Sequence, residues 1–435
     1  MFSLLQNLST LIFGFGGFYF LVRLLDPSDF GGWSLFVQVT SILEVARIGF
    51  IKYGFIKFRA ELKEVDQEKL FTAAFVLNVA FALVVALGMF LFGGTLASVW
   101  KAPELRNMFY LYSITSIVLV PFFQFEYLQH AQLDFKSVFL TYFIRNGFLF
   151  FSILISYLGF FQLDLILLVL VNLGGALFAS LASYALVEKP IRFYPAIDWT
   201  WIWKLTHFGK FVVGTSLGAM LYSAADQFML GSLLSTASVA IYGVAGRITN
   251  LINTPSMSLS AIIFPHSARL INTEGRPGVK MLYEKSVGAI LAIVVPGIVF
   301  VLLFPGWIIQ VIAGPAYIET VAILQISIFL SFFLPFAYQF GVTLDSIGYP
   351  HLNFYFTGSF FIINLTMNYF LISNYGIVGA AYGTLATTIF GFTAMQMLLR
   401  YMLKVNLLNV FKNMVNFYTS GFKSLKNILI KPVAQ

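Results

Sequence analysis

Five basic side chains sit inside long runs of apolar residues: Arg47, Lys52, Arg145, Lys210 and Arg247, accompanied by the acidic Glu44 and Asp226. A charge held at bilayer depth costs at least about 2.5 to 3.5 kcal/mol, so each such residue is a candidate for function. With a rise of about 1.5 Å per residue, Arg145 lies roughly 13 Å, and Lys210 roughly 8 Å, from the nearer ends of their helices. Arg47, Lys52, Arg145 and Lys210 are thereby placed to line a cationic chamber. Guanidinium groups grip phosphate with two parallel bonds and ammonium groups act as point charges, so the chamber suits a phosphate or pyrophosphate group.

Each residue also has a plainer reading. Lys52 and Lys210 can snorkel to an interface. Glu44 and Arg47, three residues apart on one helix face, can form a structural ion pair. Arg145 has no acidic neighbour within four residues, so it needs either an interhelical partner or a ligand. Arg247 opens a polar stripe continued by Asn250 and Asn253, and Asp226 is its nearest candidate partner across a helical hairpin. That group can be a static brace, a gate or a cation site, and spacing does not choose among them.

The elements that carry these residues must be membrane helices. The chain has 435 residues, 59% hydrophobic and only 10% charged, too few polar side chains to cover an exterior facing water. No stretch is polar enough to form a separate aqueous domain. Twelve apolar runs emerge, near 3–25, 30–55, 70–93, 105–128, 137–160, 163–187, 205–230, 237–264, 281–304, 319–344, 351–373 and 377–402. Each is long enough to cross about 30 Å of hydrocarbon, and none alternates as a barrel strand would. The first run lacks a basic start and a small-residue cleavage site, so it is expected to remain as a span.

Lys and Arg orient the chain. With the N-terminus inside, eighteen of them fall in inner loops and the tail against three, Arg23, Lys101 and Arg106, outside. The bias predicts a multi-pass protein of the cytoplasmic (inner) membrane with both termini cytoplasmic. The expected organisation is an N-terminal six-helix bundle, 1–187, an interfacial linker, 188–204, a C-terminal six-helix bundle, 205–403, and a cytoplasmic tail, 404–435. The linker mixes Lys189, Arg192 and Lys204 with Trp199, Trp201 and Trp203, which suits the headgroup level. In the tail, Leu407, Phe411, Met414, Val415, Tyr418, Phe422, Leu425 and Leu429 recur at helical spacing against Lys412, Lys423 and Lys426. This basic amphipathic helix can lie on anionic inner-leaflet lipid or pack on the protein's own inner face.

A shift of about 209 residues lays Leu24-Leu25 and Trp33 over Leu233-Leu234 and Tyr242, and Phe55 over Phe264. Six spans per half make the two copies parallel, as in a transporter with its pathway between two bundles. Pro121, Pro255, Pro296 and Pro335 interrupt helices and can permit bending. Gly379 and Gly383, four apart, form a close-packing face. The absence of Cys excludes disulfides and thiol chemistry, the four histidines are dispersed, and neither an H-E-x-x-H motif nor a P-loop is present. No enzyme activity, cofactor, metal or nucleic-acid partner is expected.

Several short motifs, in order, carry a family resemblance: Leu24-Leu25-Asp26-Pro27-Ser28-Asp29-Phe30-Gly31, Arg47-Ile48-Gly49-Phe50 with Phe58-Arg59-Ala60, and Tyr222 through Gly231. Further along come Ile241-Tyr242 with Arg247 through Ile252, Phe264-Pro265, Ala313 through Tyr317, and Tyr375 through Ala381. The chain resembles the oligosaccharide and O-antigen flippases, the polysaccharide-biosynthesis branch of the multidrug/oligosaccharidyl-lipid/polysaccharide (MOP) exporter superfamily. Ile347 through Leu352 departs from the usual basic inner turn, where Lys follows the proline.

The resemblance implies an all-α polytopic fold with two six-helix bundles around a central cavity, and alternating access. The implied cargo is a polyprenyl-diphosphate-linked oligosaccharide, such as an O-antigen repeat unit, moved from inner to outer leaflet. H+ or Na+ as coupling ion and a glycan polymerase as partner are implied as well. The rival within the superfamily is an ion-coupled multidrug exporter, whose site should be acidic. A membrane glycosyltransferase would need carboxylates on a substantial outer loop, and a scaffold would have little use for Arg145 and Arg247.

Overall fold

The computed structural model describes residues 2–188 and 192–430, all helix and connection, with no strand among them. Lys189, Pro190 and Ile191 of the expected linker, and 431–435 of the tail, lie outside the described residues. The helices are α1 (Phe2–Leu24), α2 (Pro27–Arg47), α3 (Tyr53–Ala60), α4 (Glu64–Val99), α5 (Glu104–Ala131), α6 (Phe135–Tyr157), α7 (Leu165–Ala185) and α8 (Trp199–Leu233). They continue with α9 (Thr236–Thr273), α10 (Gly275–Leu303), α11 (Pro305–Ile312), α12 (Thr320–Ser327), α13 (Leu330–Ser346), α14 (Pro350–Leu403) and α15 (Leu407–Ile430). All twelve expected apolar runs fall on these helices. Among the described residues, nine helical stretches are long and apolar enough to cross a membrane. One of them, α14, holds two expected runs, separated at Gly376, whose φ of 63° and ψ of −142° turn the chain where a side chain would be strained. The protein is an all-α, multi-pass membrane protein.

Helix starts follow from short polar residues between the apolar runs. Asp26 accepts from the Asp29 amide at 2.9 Å, Asp134 from Ser137 at 3.1 Å, Asp164 from Leu167 at 2.7 Å and Asp198 from Thr200 at 2.9 Å. Each carboxylate satisfies an amide that has no partner within its own helix, which matters most where water is scarce.

The chain forms two compact units, Met1–Ala240 and Ile241–Gln435. In the first, Phe55, Phe71, Phe122, Phe123 and Tyr127 are buried between α3, α4 and α5. Lipid is as apolar as Phe, so close packing rather than escape from water holds these rings. Polar side chains add ties: Ser180 of α7 donates to the Val118 carbonyl of α5 at 2.7 Å, and Asn78 of α4 donates to Gln124 at 2.9 Å. Helix α8 runs antiparallel along α2 in the same unit. Ser28 hydrogen-bonds Thr236 at 2.9 Å beyond one end of α8, so the two turns aligned by the internal repeat touch each other. Further along, Gly49 of the π-helical turn Ile48–Lys52 faces Val213, and Gly209 presses on the Phe50 carbonyl.

In the second unit, Tyr283, Phe336, Phe340 and Leu399 pack α10, α13 and α14 together. Helix α9 runs parallel to α12 and α13 at a constant offset of 79 residues. Thr320 donates to the Ile241 carbonyl at 3.2 Å, Gln339 to the Ser260 hydroxyl at 3.0 Å, and Ser267 and Ser346 share a bond of 2.6 Å. Gly379 lies against the Leu371 carbonyl and Gly383 against Asn368, so the small-residue face of α14 packs its two arms together.

Residues 406–418 take the packed placement of the two open to the amphipathic tail. Glu284 of α10 accepts from the Asn406 amide at 2.8 Å and the Asn409 side chain at 3.0 Å, tethering the start of α15. Tyr418 then donates to the Ala292 carbonyl, so α15 follows α10 for two turns of that helix. Phe422, Lys423, Leu425, Lys426 and Leu429 of the expected amphipathic pattern have side chains outside the described residues, as does Phe264 of the repeat.

The α2–α8 contact predicts a specific sensitivity. A Cβ at Gly209 would overlap the Phe50 carbonyl, whereas one at Gly214 would meet nothing within 4 Å. Gly209→Val should therefore cost about 1 to 3 kcal/mol as overpacking. In a thermal melt of the purified protein, it should lower Tm clearly while Gly214→Ala keeps or slightly raises it; equal melts would remove the contact as a constraint.

Candidate functional site

The buried charges of the first unit lie where α2, α5 and α6 meet. Helix α2 carries Glu44 and Arg47, the π turn carries Lys52, α5 carries Glu126 and His130, and α6 carries Tyr142 and Arg145. The π turn inserts extra backbone between α2 and α3 and so resets the direction of Lys52 relative to Arg47. Such turns occur disproportionately at functional positions.

Arg145 finds its interhelical partner in Glu44: Nη2 donates to Oε1 at 2.5 Å, with the side chains 13% and 22% exposed. The guanidinium also sits over the Phe122 ring at 5.0 Å. Glu44 therefore bonds Arg145 rather than Arg47. Arg47 points instead at α5, where Nη2 donates to the Ser116 carbonyl at 3.0 Å and its hydroxyl at 2.8 Å. It packs over Phe123 and Phe81, centroids 5.0 and 5.4 Å away, and is 2% exposed. Its Nη1 is buried without a hydrogen-bond partner. Glu44 and Arg145 remain close enough to Arg47 to interact electrostatically.

Lys52 is likewise engaged, donating from Nζ to Glu126 Oε1 at 2.7 Å. Glu126 is fully buried; the same oxygen meets His130 Nε2 at 3.0 Å and the Tyr142 hydroxyl at 3.3 Å. Sequence reasoning missed Glu126. Its signal was available: Glu126 and His130, four residues apart, stack on one face of an otherwise apolar helix. Three cations, Arg47, Lys52 and Arg145, thus share two carboxylates, leaving one positive charge in surplus.

The other candidates do not join this cluster. Lys210 is exposed on α8, its Nζ 5.0 Å from the neighbouring Phe211 ring. Asp226 is half-buried on α8 beside Tyr222, in the first unit. Arg247 and Asn250 are exposed on α9, in the second. Asn253 is 3% exposed, with both amide atoms buried and without a hydrogen-bond partner. Through the offset of 79 it lies level with Phe332, next to Ser331, whose buried hydroxyl also lacks a partner. Among the described residues no group of three or more His, Cys, Asp or Glu could hold a metal.

The helices make a multi-pass membrane fold, and solved structures share it. The chain matches the lipid II flippase MurJ in an inward closed conformation at a TM-score of 0.76, with 12% identity over 99% of this chain and 93% of that one. It matches an inward-facing multidrug resistance MATE family transporter of the MOP superfamily at 0.73, with 15% identity over 90% and 95%. Both likenesses establish the fold. Residues 20–322 match the family described as polysaccharide biosynthesis protein, and the chain belongs to that family.

Among its relatives, the probable low-salt glycan biosynthesis flippase Agl15 of Haloferax volcanii is 25% identical over 180 residues, 41% of this chain and 38% of that protein. The probable flippase AglR of the same organism is 28% identical over 179 residues, 40% and 37%. The uncharacterized membrane protein MJ1068 of Methanocaldococcus jannaschii is 30% identical over 196 residues, 44% and 37%. The matches thus span well under half the length of these relatives.

Breaking a buried ion pair from one side strands the other charge, at a cost of about 3 to 5 kcal/mol. Glu44→Gln should therefore destabilise the protein more than Glu44→Gln combined with Arg145→Gln. A double-mutant cycle on unfolding measures this, and strictly additive effects would remove the pair as a structural tie.

Proposed function

We propose that this protein is a flippase that carries a polyprenyl-diphosphate-linked oligosaccharide from the inner to the outer leaflet of the cytoplasmic membrane by alternating access. Family membership and the flippase relatives support a lipid-linked glycan as cargo. The observation that carries the reading is Arg47: a guanidinium almost wholly buried, surplus to the two carboxylates, with Nη1 unpartnered. An arginine with an open N–H is suited to a phosphate oxygen, and a diphosphate headgroup supplies several. Ser116 and the rings of Phe81 and Phe123 hold the guanidinium in one orientation, so little ordering remains for the cargo to impose.

Arg145 contributes through an exchange of partners. Its bond to Glu44 is satisfied without cargo, and an arriving diphosphate competes for the same guanidinium. Release of Glu44 then couples headgroup binding to a change between α2 and α6. A glycan polymerase is the natural partner for a repeat unit delivered to the outer leaflet. The second reading, an ion-coupled multidrug exporter, is favoured by one observation only, the two buried carboxylates Glu44 and Glu126 in an aromatic setting.

Reconstitution into liposomes containing defined lipid-linked oligosaccharides, and separately cationic drugs, distinguishes the two. The native protein should flip the glycan lipid and leave the drugs. Arg47→Ala and Arg145→Ala should insert normally and lose at least about tenfold in flipping rate, roughly the worth of one charge-assisted bond of 1.5 kcal/mol or more. Unchanged flipping by both variants would overturn the cationic site, and drug transport alone would overturn the cargo.

A further inference from the structure

Glu126 is the most heavily engaged buried group in the first unit, and the proposed transport step does not use it. Its Oε1 serves Lys52, His130 and Tyr142 at 2.7, 3.0 and 3.3 Å, while Oε2 is buried with no hydrogen-bond partner. A carboxylate bound on one oxygen only leaves the other as a place for a proton. His130 is 22% exposed in its side chain and four residues further along α5, so it connects that carboxylate to the accessible end of the helix. With Nε2 turned to Glu126, Nδ1 is the nitrogen that can take a proton from outside.

We propose that Glu126 and His130 form a proton-binding site whose occupancy sets whether Lys52, and with it the π turn Ile48–Lys52, stays docked on α5. This deepens the proposed transport, and rests on it, by naming the residues that take up a coupling proton.

The electrostatics are simple. With His130 neutral, Lys52 and Glu126 cancel. Protonated His130 adds a second cation to one carboxylate, and the buried group carries a net positive charge that low-dielectric surroundings oppose. Transfer of the proton to Oε2 of Glu126 restores neutral imidazole but removes the counterion of Lys52. Either way the bond between the π turn and α5 weakens.

The elements around Glu126 bring charges of both signs, among them Asp134, which caps α6 four residues beyond His130 with one carboxylate oxygen buried and unpartnered, and Lys136 on α6. Tyr127 on α5 and Tyr142 on α6 are neutral phenols, and Glu44, Arg47 and Arg145 are committed to one another and to Ser116. α3 brings the cations Lys57 and Arg59. The charges of α4, Glu64, Asp66, Glu68 and Lys69, are confined to its first two turns, and α7 brings only the exposed Tyr184.

The π turn makes this local event mechanically useful. One side of these five residues holds Lys52 against Glu126; the other touches α8, where Gly49 faces Val213 and Phe50 meets Gly209. A π turn is one hydrogen-bond register away from an ordinary α-helical turn, which gives it two discrete arrangements. Loss of the Lys52 tie frees the turn to switch, and α8 lies directly against it.

Infrared difference spectra of the reconstituted protein between about pH 8 and about pH 5, the range over which histidine titrates, test the site without any cargo. The native protein should gain imidazolium bands on acidification. His130→Gln should lose part of them, and Glu126→Gln should shift their midpoint. If Glu126→Gln does not fold, the loss in His130→Gln alone reports the site. Imidazolium bands unaltered by both substitutions overturn the proposal. In flipping assays, His130→Gln should retain exchange without a gradient and lose the acceleration by a pH gradient; retained acceleration also overturns it. A protein that flips no glycan lipid under any condition, yet shows the His130 imidazolium band, overturns the transport reading and supports the proton site.

Discussion

A carboxylate withdrawn from bulk water must be matched by positive charge, and the first unit is assembled around two such matches, one at the fully buried Glu126 and one at the partly exposed Glu44. Glu126 draws Lys52 from the π turn and Tyr142 from α6 onto α5, while Glu44 draws Arg145 from α6 onto α2. Four elements are thereby fixed relative to one another by two oxygens. Phe122, Phe123 and Tyr127 fill the space between them and keep the local dielectric low. That low dielectric both strengthens each bond and raises the penalty for losing either partner. Arg47 is tolerated as the unmatched charge because a carbonyl, a hydroxyl and two ring faces solvate it in place of water.

The α2–α8 seam performs a different task. At Gly31 and Gly209 no side chain intervenes, so backbone meets backbone at these two points and sets the separation there by atoms that cannot yield. Gly31 meets the Thr236 carbonyl at one end, and Gly209 at the other lies beside the π turn, the one segment of α2–α3 whose hydrogen-bond pattern is irregular. Stiff packing beside this irregular turn leaves little slack at this end of the seam.

Much of this is legible in the sequence, and the boundary of what is not has a physical cause. Hydrophobic run length determines a membrane helix almost alone, because the bilayer permits no other way of satisfying the backbone, so all twelve runs can be read from residue order and hydropathy. Arg145 is recognisable as needing a distant partner for the same reason. Which partner it takes is not: choosing Glu44 over Arg47's claim to it depends on the rotation of α6 against α2, a property of packing rather than of spacing. The π turn is invisible because Ile48–Lys52 has the composition of any membrane helix, and it is this turn that carries Lys52 away from the Arg47 face. Glu126 is easily overlooked among aromatic neighbours although its pairing with His130 is local. The tail's amphipathic pattern is plain, while its tether to Glu284 depends on a side chain more than a hundred residues earlier.

The constant offset between α9 and α12–α13 limits how the second unit can move. Three side-chain bonds, at Ile241, Ser260 and Ser267, are spread along nearly the whole length of the pair. Sliding one helix past the other by even a single turn would break all three together, while rolling or tilting about their shared line would disturb them little. Pro255 and Pro335 interrupt the two helices at nearly matching heights, so each helix lacks one backbone hydrogen bond at the same level of the pair.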